Sequence, residues 1–111
     1  MGKIVALYVR TSTDKQDSGL EAQERALVQY CMKQNIEGYE LFRERGVSGK
    51  KSSRPSLDEL MKMVHEGKIK AVIVYSFSRF ARSTKHLLEA LETFREFGTD
   101  FISVTENIDT T

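Results

Sequence analysis

"KIVALYVRTSTDKQ", residues 3–16, decides the fold. From Lys3 to Val9 it is apolar and rich in β-branched residues with no polar face, the signature of a strand buried on both sides, as in a parallel sheet covered by helices. From Arg10 it turns polar at once, crowding an arginine, hydroxyls, an aspartate, a lysine and an amide where a buried strand ends. In an open α/β sheet that end is where ligands bind. The alternatives are an active site and a solvated loop.

Outward from this stretch the pattern alternates between strand and helix. Ser18 followed by Glu21 reads as a capping box, and Leu20, Leu27, Tyr30 and Cys31 share one face of a helix reaching about Lys33. "YELFRE" at 39–44 reads as a short strand, followed by the polar, glycine-bearing loop "RGVSGKKSS". Pro55 suits a first helical position, and Leu57, Leu60, Met61 and Val64 keep a 3.6 period that Gly67 closes. "IKAVIVYSF" at 69–77 is a third buried strand; Leu87, Leu88, Leu91 and Phe94 carry a third helix ending at Gly98; "DFISVTE" finishes as a fourth strand. On helix two, one of Met61 and Met63 should be core and the other exposed. The expected fold is α/β and three-layered: a mostly parallel sheet of about four strands in the flavodoxin-like order 2-1-3-4, with helices on both faces.

The bounds agree with a single soluble unit. The chain has 111 residues, 40% hydrophobic and 30% charged, enough for one core without metal or disulfides. Cys31 is the single cysteine, which excludes an internal disulfide framework, and no signal peptide or long apolar span is evident, so a cytoplasmic protein without a membrane partner is expected. A formal charge of +1 decides nothing about a nucleic-acid partner, because binding needs local rather than global positive charge.

In the 2-1-3-4 order the crevice opens beyond strands one and three, where "RTSTDKQ" meets "SFSRFARS" (76–83), with "VSGKKSSR" along the same edge. Arg10 and Ser12, two apart on extended chain, face the same way, and Arg79 and Arg82 share a face if their turn is helical. A serine hydroxyl needs a base, a lowered pKa or a strongly stabilised transition state. His65 and His86 fall on helices, which argues against a Ser-His-Asp arrangement, and neither has a cysteine or carboxylate at metal-ligand spacing. Guanidiniums suit phosphoryl transfer, where fork-like donors neutralise the non-bridging oxygens. The constellation reads as a serine attacking a phosphodiester. Plainer readings stand beside it: Ser12 as a turn or cap residue, Arg79 and Arg82 as a solvated basic patch, Ser48-Gly49 as a generic turn, Arg54 as the residue before a proline-started helix. Cys31 reads as a small buried hydrophobe.

"YVRTSTDKQ" (8–16), "VSGKKSSRPSLDELM" (47–61) and "SFSRFARS" (76–83), in this order and spacing, resemble the catalytic domain of the serine recombinases, the resolvase and invertase family. The resemblance covers essentially the whole chain. It implies site-specific DNA recombination through a 5′-phosphoserine intermediate, with Ser12 as nucleophile, Arg10, Arg79 and Arg82 as phosphate ligands, and Gln16, Gln23, Ser48 and Arg54 as supporting positions. No metal or nucleotide cofactor is implied. The partners implied are double-stranded DNA and, in a full-length parent, a homodimer and synaptic tetramer; bacterial, archaeal or mobile-element origin follows. Two departures are visible. Ser78 stands where the family commonly has an acidic residue, and the chain stops at "TENIDTT" (105–111), where members continue into a dimerisation helix and a DNA-binding domain. Residues 1–111 are therefore expected to be an N-terminal catalytic domain truncated at its C-terminus, monomeric or weakly associating, feeble in DNA binding and inactive alone, with segments 11–18 and 46–53 poorly ordered. The alternative is an inactive recombinase-like module that binds DNA or a partner. A receiver domain lacks its carboxylate cluster here, and a flavodoxin relative its glycine-rich phosphate cradle.

Overall fold

The computed structural model describes residues 3–10, 17–44, 55–81 and 83–109. Strand β1 (Ile4–Arg10) lies inside the sheet, parallel to β2 (Tyr39–Glu44) on one side and to β3 (Ile69–Val74) on the other. Strand β4 (Asp100–Ser103) continues the parallel set beside β3. The order is β2-β1-β3-β4-β5, the expected 2-1-3-4 with a two-residue antiparallel strand, β5 (Ile108–Asp109), added at the β4 edge. Nothing in the hydropathy of so short a segment announces a strand.

The alternation of side chains along β1 builds two cores. Ala6 and Tyr8 face one way, into a cluster with Leu57, Leu60 and Val64 of α2 (Pro55–His65) and Ala90 and Phe94 of α3 (Thr84–Glu96). Val5, Leu7 and Val9 face the other, against Leu27 and Cys31 of α1 (Asp17–Lys33). Helices thus cover both faces of the sheet. The all-apolar reading of Lys3 to Val9 has this physical origin: each alternate residue meets a different helical layer.

The helices end by one device. The second residue past each takes a left-handed conformation, Asn35 (φ 58°), Gly67 (φ 74°) and Gly98 (φ 70°). The next amide then reaches back five residues: Ile36 to the Cys31 carbonyl at 2.8 Å, Lys68 to Met63 at 3.0 Å, Thr99 to Phe94 at 2.8 Å. These are Schellman closures. Gly67 and Gly98 were legible as stops; Asn35 does the same work without being glycine.

Several expectations need correction. Asp17 and Ser18, assigned to a poorly ordered first loop with Ser18 as cap, are the first residues of α1. Strand three stops at Val74, because Ser76 opens a 3₁₀ turn, η1 (Phe77–Arg79). Leu88 is 60% exposed and does not join the core face of α3 with Leu91 and Phe94, because it falls on the helix's outer side. Met61 and Met63 are both partly buried against one cluster rather than split between core and solvent.

Candidate functional site

At the carboxyl ends of β1 and β3 the chain leaves the sheet on two adjacent paths, and a side chain ties them together. Arg10, the last residue of β1, donates from Nη2 to the Ser78 carbonyl at 2.7 Å. The turn so held is η1, and its last residue is Arg79. Two of the arginines singled out from the sequence are therefore brought to one crevice, at the reversal of strand order.

Each path has its own anchor. Gln23, buried on α1, accepts from the Arg10 amide at 3.2 Å and donates from Nε2 to the Arg10 carbonyl at 2.8 Å. A side-chain amide so placed imitates a neighbouring strand where β1 runs out of partners. Gln23 thus acts on the backbone of Arg10, a role that follows from its position one helix away and not from the crevice itself. On the other path Phe80, immediately after Arg79, is fully buried among Tyr8, Phe94 and Phe101, with ring centroids 6.0, 5.9 and 5.3 Å away. Its packing pins the turn into the core while Arg79 stays partly exposed.

Ser78 itself is exposed, its Oγ 3.1 Å from that of Ser76. With no carboxylate on this residue, the contact to Arg10 is made by its main-chain carbonyl instead. Ser12, Gln16, Ser48, Arg54 and Arg82 lie outside the described residues, as do most of segments 11–18 and 46–53.

Two acidic residues matter here that sequence reasoning missed. Glu44, the buried last residue of β2, accepts from the Tyr8 hydroxyl at 3.1 Å, the Leu57 amide at 3.0 Å and the Ser56 amide at 3.2 Å. It satisfies the otherwise unbonded first-turn donors of α2 and favours that helix's positive end. Ser56 answers by donating its hydroxyl to the Arg43 carbonyl. These bonds tie the end of β2 to the start of α2. Glu106, after β4, accepts from the Phe77 amide at 3.2 Å and from the hydroxyls of Ser103 and Thr105. Neither glutamate carried a signal in the sequence: the burial of Glu44 and the amides that both carboxylates meet appear only in the fold.

Cys31 carries no exposed surface, and burial pushes its thiol pKa up. It is packing, as expected. Arg43 forms a two-pronged pair with Glu24 on the surface, which raises its own pKa. Among the described residues no group of histidine, cysteine or carboxylate side chains is arranged to hold a metal ion.

Arg10 and the turn that ends in Arg79 thus meet at the sheet's switch point. The family model "Resolvase, N terminal domain" matches residues 5–111. The chain belongs to the resolvase family. It is 41% identical over 103 residues to the transposon Tn917 resolvase of Enterococcus faecalis, covering 93% of this chain and 50% of that protein. To a DNA-invertase of Escherichia phage P1 it is 37% identical, with the same coverage of each. The chain spans about half the length of these curated relatives. Among solved structures it is similar to the N-terminal catalytic domain of the TP901-1 integrase, at 30% identity and a TM-score of 0.85 over 97% of this chain and 82% of that one. It is also similar to a resolvase family site-specific recombinase from Streptococcus pneumoniae, at 28% identity and a TM-score of 0.76, covering 97% and 76%. The resolvase-family fold is therefore present from β1 through β5.

Proposed function

We propose that this chain carries the DNA-cleaving catalytic domain of a serine-type site-specific recombinase. The observation that supports this reading most is the Arg10 to Ser78 contact, which joins the strand end leading to Ser12 with the turn bearing Arg79. Ser12 Oγ gives up its hydroxyl proton to solvent and attacks a phosphodiester phosphorus, forming a Ser–O–P bond to the 5′ phosphate. The bond to the 3′ oxygen breaks, and that oxygen leaves as a hydroxyl after taking up a proton. Arg10, Arg79 and Arg82 offer donors to the non-bridging oxygens, whose charge changes most in the transition state. Gln23 supports this by holding Arg10 in register; Gln16, Ser48 and Arg54 complete the proposed surroundings. The ester bond energy is kept in phosphoserine, so the reverse attack by a 3′ hydroxyl rejoins DNA without a nucleotide. No metal is needed for the charge role the arginines fill.

The domain works in a longer protein, as its match to half of each relative suggests, with double-stranded DNA as substrate and a dimer and synaptic tetramer as the assembled forms. Alone, it is monomeric or weakly associating, and inactive. Its relatives are bacterial, phage and transposon proteins, and among the described residues no helix is long and apolar enough to cross a membrane; a cytoplasmic setting fits both. The test is to join the chain to a DNA-binding region, add DNA carrying its site in EDTA, and quench with detergent. A covalent protein–DNA band is expected. Binding without that band, from a protein of intact fold, would leave the non-catalytic module as the better reading.

A further inference from the structure

The turn that carries Arg79 is three residues of 3₁₀ helix, closed by the Arg79 amide to the Ser76 carbonyl at 3.1 Å and by the Phe80 and Ala81 amides to the Phe77 carbonyl at 3.0 and 2.8 Å, which leaves its first amide, that of Phe77, to find a partner elsewhere. Its own N-cap gives none: Ser76 is extended and makes no side-chain cap bond. The Phe77 amide, the first donor of the turn, is instead met by Glu106, twenty-nine residues along the chain, with its two oxygens at 3.2 and 3.4 Å.

Glu106 is itself held. Ser103, fully buried at the end of β4 and paired in register with Val74, donates its hydroxyl to Glu106, and Thr105 donates a second at 3.2 Å. The β4–β5 turn is stitched to the end of β3 by the Val104 amide to the Val74 carbonyl and the Thr105 amide to the Tyr75 carbonyl, each at 3.0 Å. So the turn is gripped from two sides: Arg10 on its Ser78 carbonyl, Glu106 on its Phe77 amide.

The geometry points to Glu106 as a positioning residue for the reaction, fixing the orientation of the Arg79 turn from across the β4–β5 connection. It does this as a hydrogen-bond acceptor and does not touch the phosphate. The inference rests on the recombinase reading for its catalytic consequence, while the grip itself stands on the structure. Because Glu106 is exposed and outside both cores, its removal should spare the fold.

The experiment compares Glu106→Ala, Glu106→Gln and Glu106→Asp in two measurements. In a protein joining this chain to a DNA-binding region, single-turnover formation of the covalent adduct is followed at saturating DNA, with gel-shift affinity alongside. In the chain alone, the ¹⁵N–¹H resonance of Phe77 and the backbone order of Arg79 are recorded. Alanine should slow adduct formation on the order of 10- to 100-fold, the sensitivity expected of a misplaced reacting group, with affinity unchanged. Glutamine keeps an acceptor and should regain most of the rate; aspartate, one methylene short, should resemble alanine. The Phe77 resonance should move in alanine and aspartate and stay near its place in glutamine. A wild-type adduct rate in folded alanine or aspartate variants, or glutamine no better than alanine, overturns the proposal. Should the unsubstituted protein form no adduct, the recombinase reading fails, and the grip is judged on NMR alone: a Phe77 resonance unmoved in the alanine variant overturns it. If alanine fails to fold, the aspartate and glutamine pair decides by the same criteria.

Discussion

Replacing Glu44 with alanine should be the costliest single polar substitution in the described part of the chain. The carboxylate is buried and takes three hydrogen bonds, from Tyr8, Ser56 and Leu57. Two of these donors are backbone amides in the first turn of α2, and loss of such a cap costs about 0.5–2 kcal/mol. The Tyr8 hydroxyl, in a fully buried residue, loses its carboxylate partner as well, and a hydrogen bond to a charged group is worth about 1.5–3 kcal/mol. Together these give a loss of about 2–5 kcal/mol, against a total stability of about 5–15 kcal/mol for a domain. Tyr8→Phe removes that one bond and leaves both α2 amides bonded, so it should cost about 1.5–3 kcal/mol, less than Glu44→Ala. Glu44→Gln, which keeps one acceptor oxygen but turns an amide toward donors, should fall between. Urea unfolding of the three variants at neutral pH, with an unchanged slope as the sign that only stability moved, measures this. A Glu44→Ala loss below about 1 kcal/mol, or a greater cost for Tyr8→Phe, would refute the claim that this carboxylate ties β2, β1 and α2 together.

Other outcomes follow from the same geometry. Arg79→Lys in a DNA-cleaving protein should recover little of the activity lost in Arg79→Ala, since an ammonium cannot reproduce a two-pronged fork on phosphate; adduct rates at saturating DNA decide it. Gln23→Leu should destabilise the chain by about 1–3 kcal/mol in urea, because it leaves the Arg10 amide and carbonyl without their side-chain partner at the end of β1. Cys31 should resist thiol reagents until the chain unfolds. Its thiol titrates higher when folded than unfolded, so the unfolded chain loses its proton first: stability is unaffected below the ordinary thiol pKa and falls as pH rises through it toward the folded value. Cys31→Ala should flatten that alkaline decline in a pH series of unfolding curves.

How far the sequence disclosed this depends on the range of the interaction. β1 and β3 were legible because both of their faces are apolar, and α2 because Leu57, Leu60 and Val64 repeat on a helical period beneath Pro55. Gly67 and Gly98 announced the helix ends, since only a left-handed residue closes them and glycine takes that shape without strain. The meeting of the Arg10 and Arg79 paths followed from strand order alone. Glu44 and Glu106 did not show, because each acts on backbone amides that only folding brings near, and a glutamate at a strand end or in a turn looks like ordinary surface charge. Gln23 was marked by family resemblance, yet its paired bonds to Arg10 became visible only with α1 laid against β1. Leu88 misled because a run of two leucines fits either side of a helix.

The central claim, that the hydroxyl of Ser12 becomes joined to DNA, is tested most directly by digesting the trapped adduct with protease and nuclease and sequencing the nucleotide-bearing peptide by mass spectrometry. The account predicts one modified peptide from the segment after β1, its phosphate on Ser12 Oγ and linked to the 5′ end of the cut strand, and no adduct from Ser12→Ala. A 3′ linkage, a modified residue other than Ser12, or undiminished adduct from Ser12→Ala would contradict it.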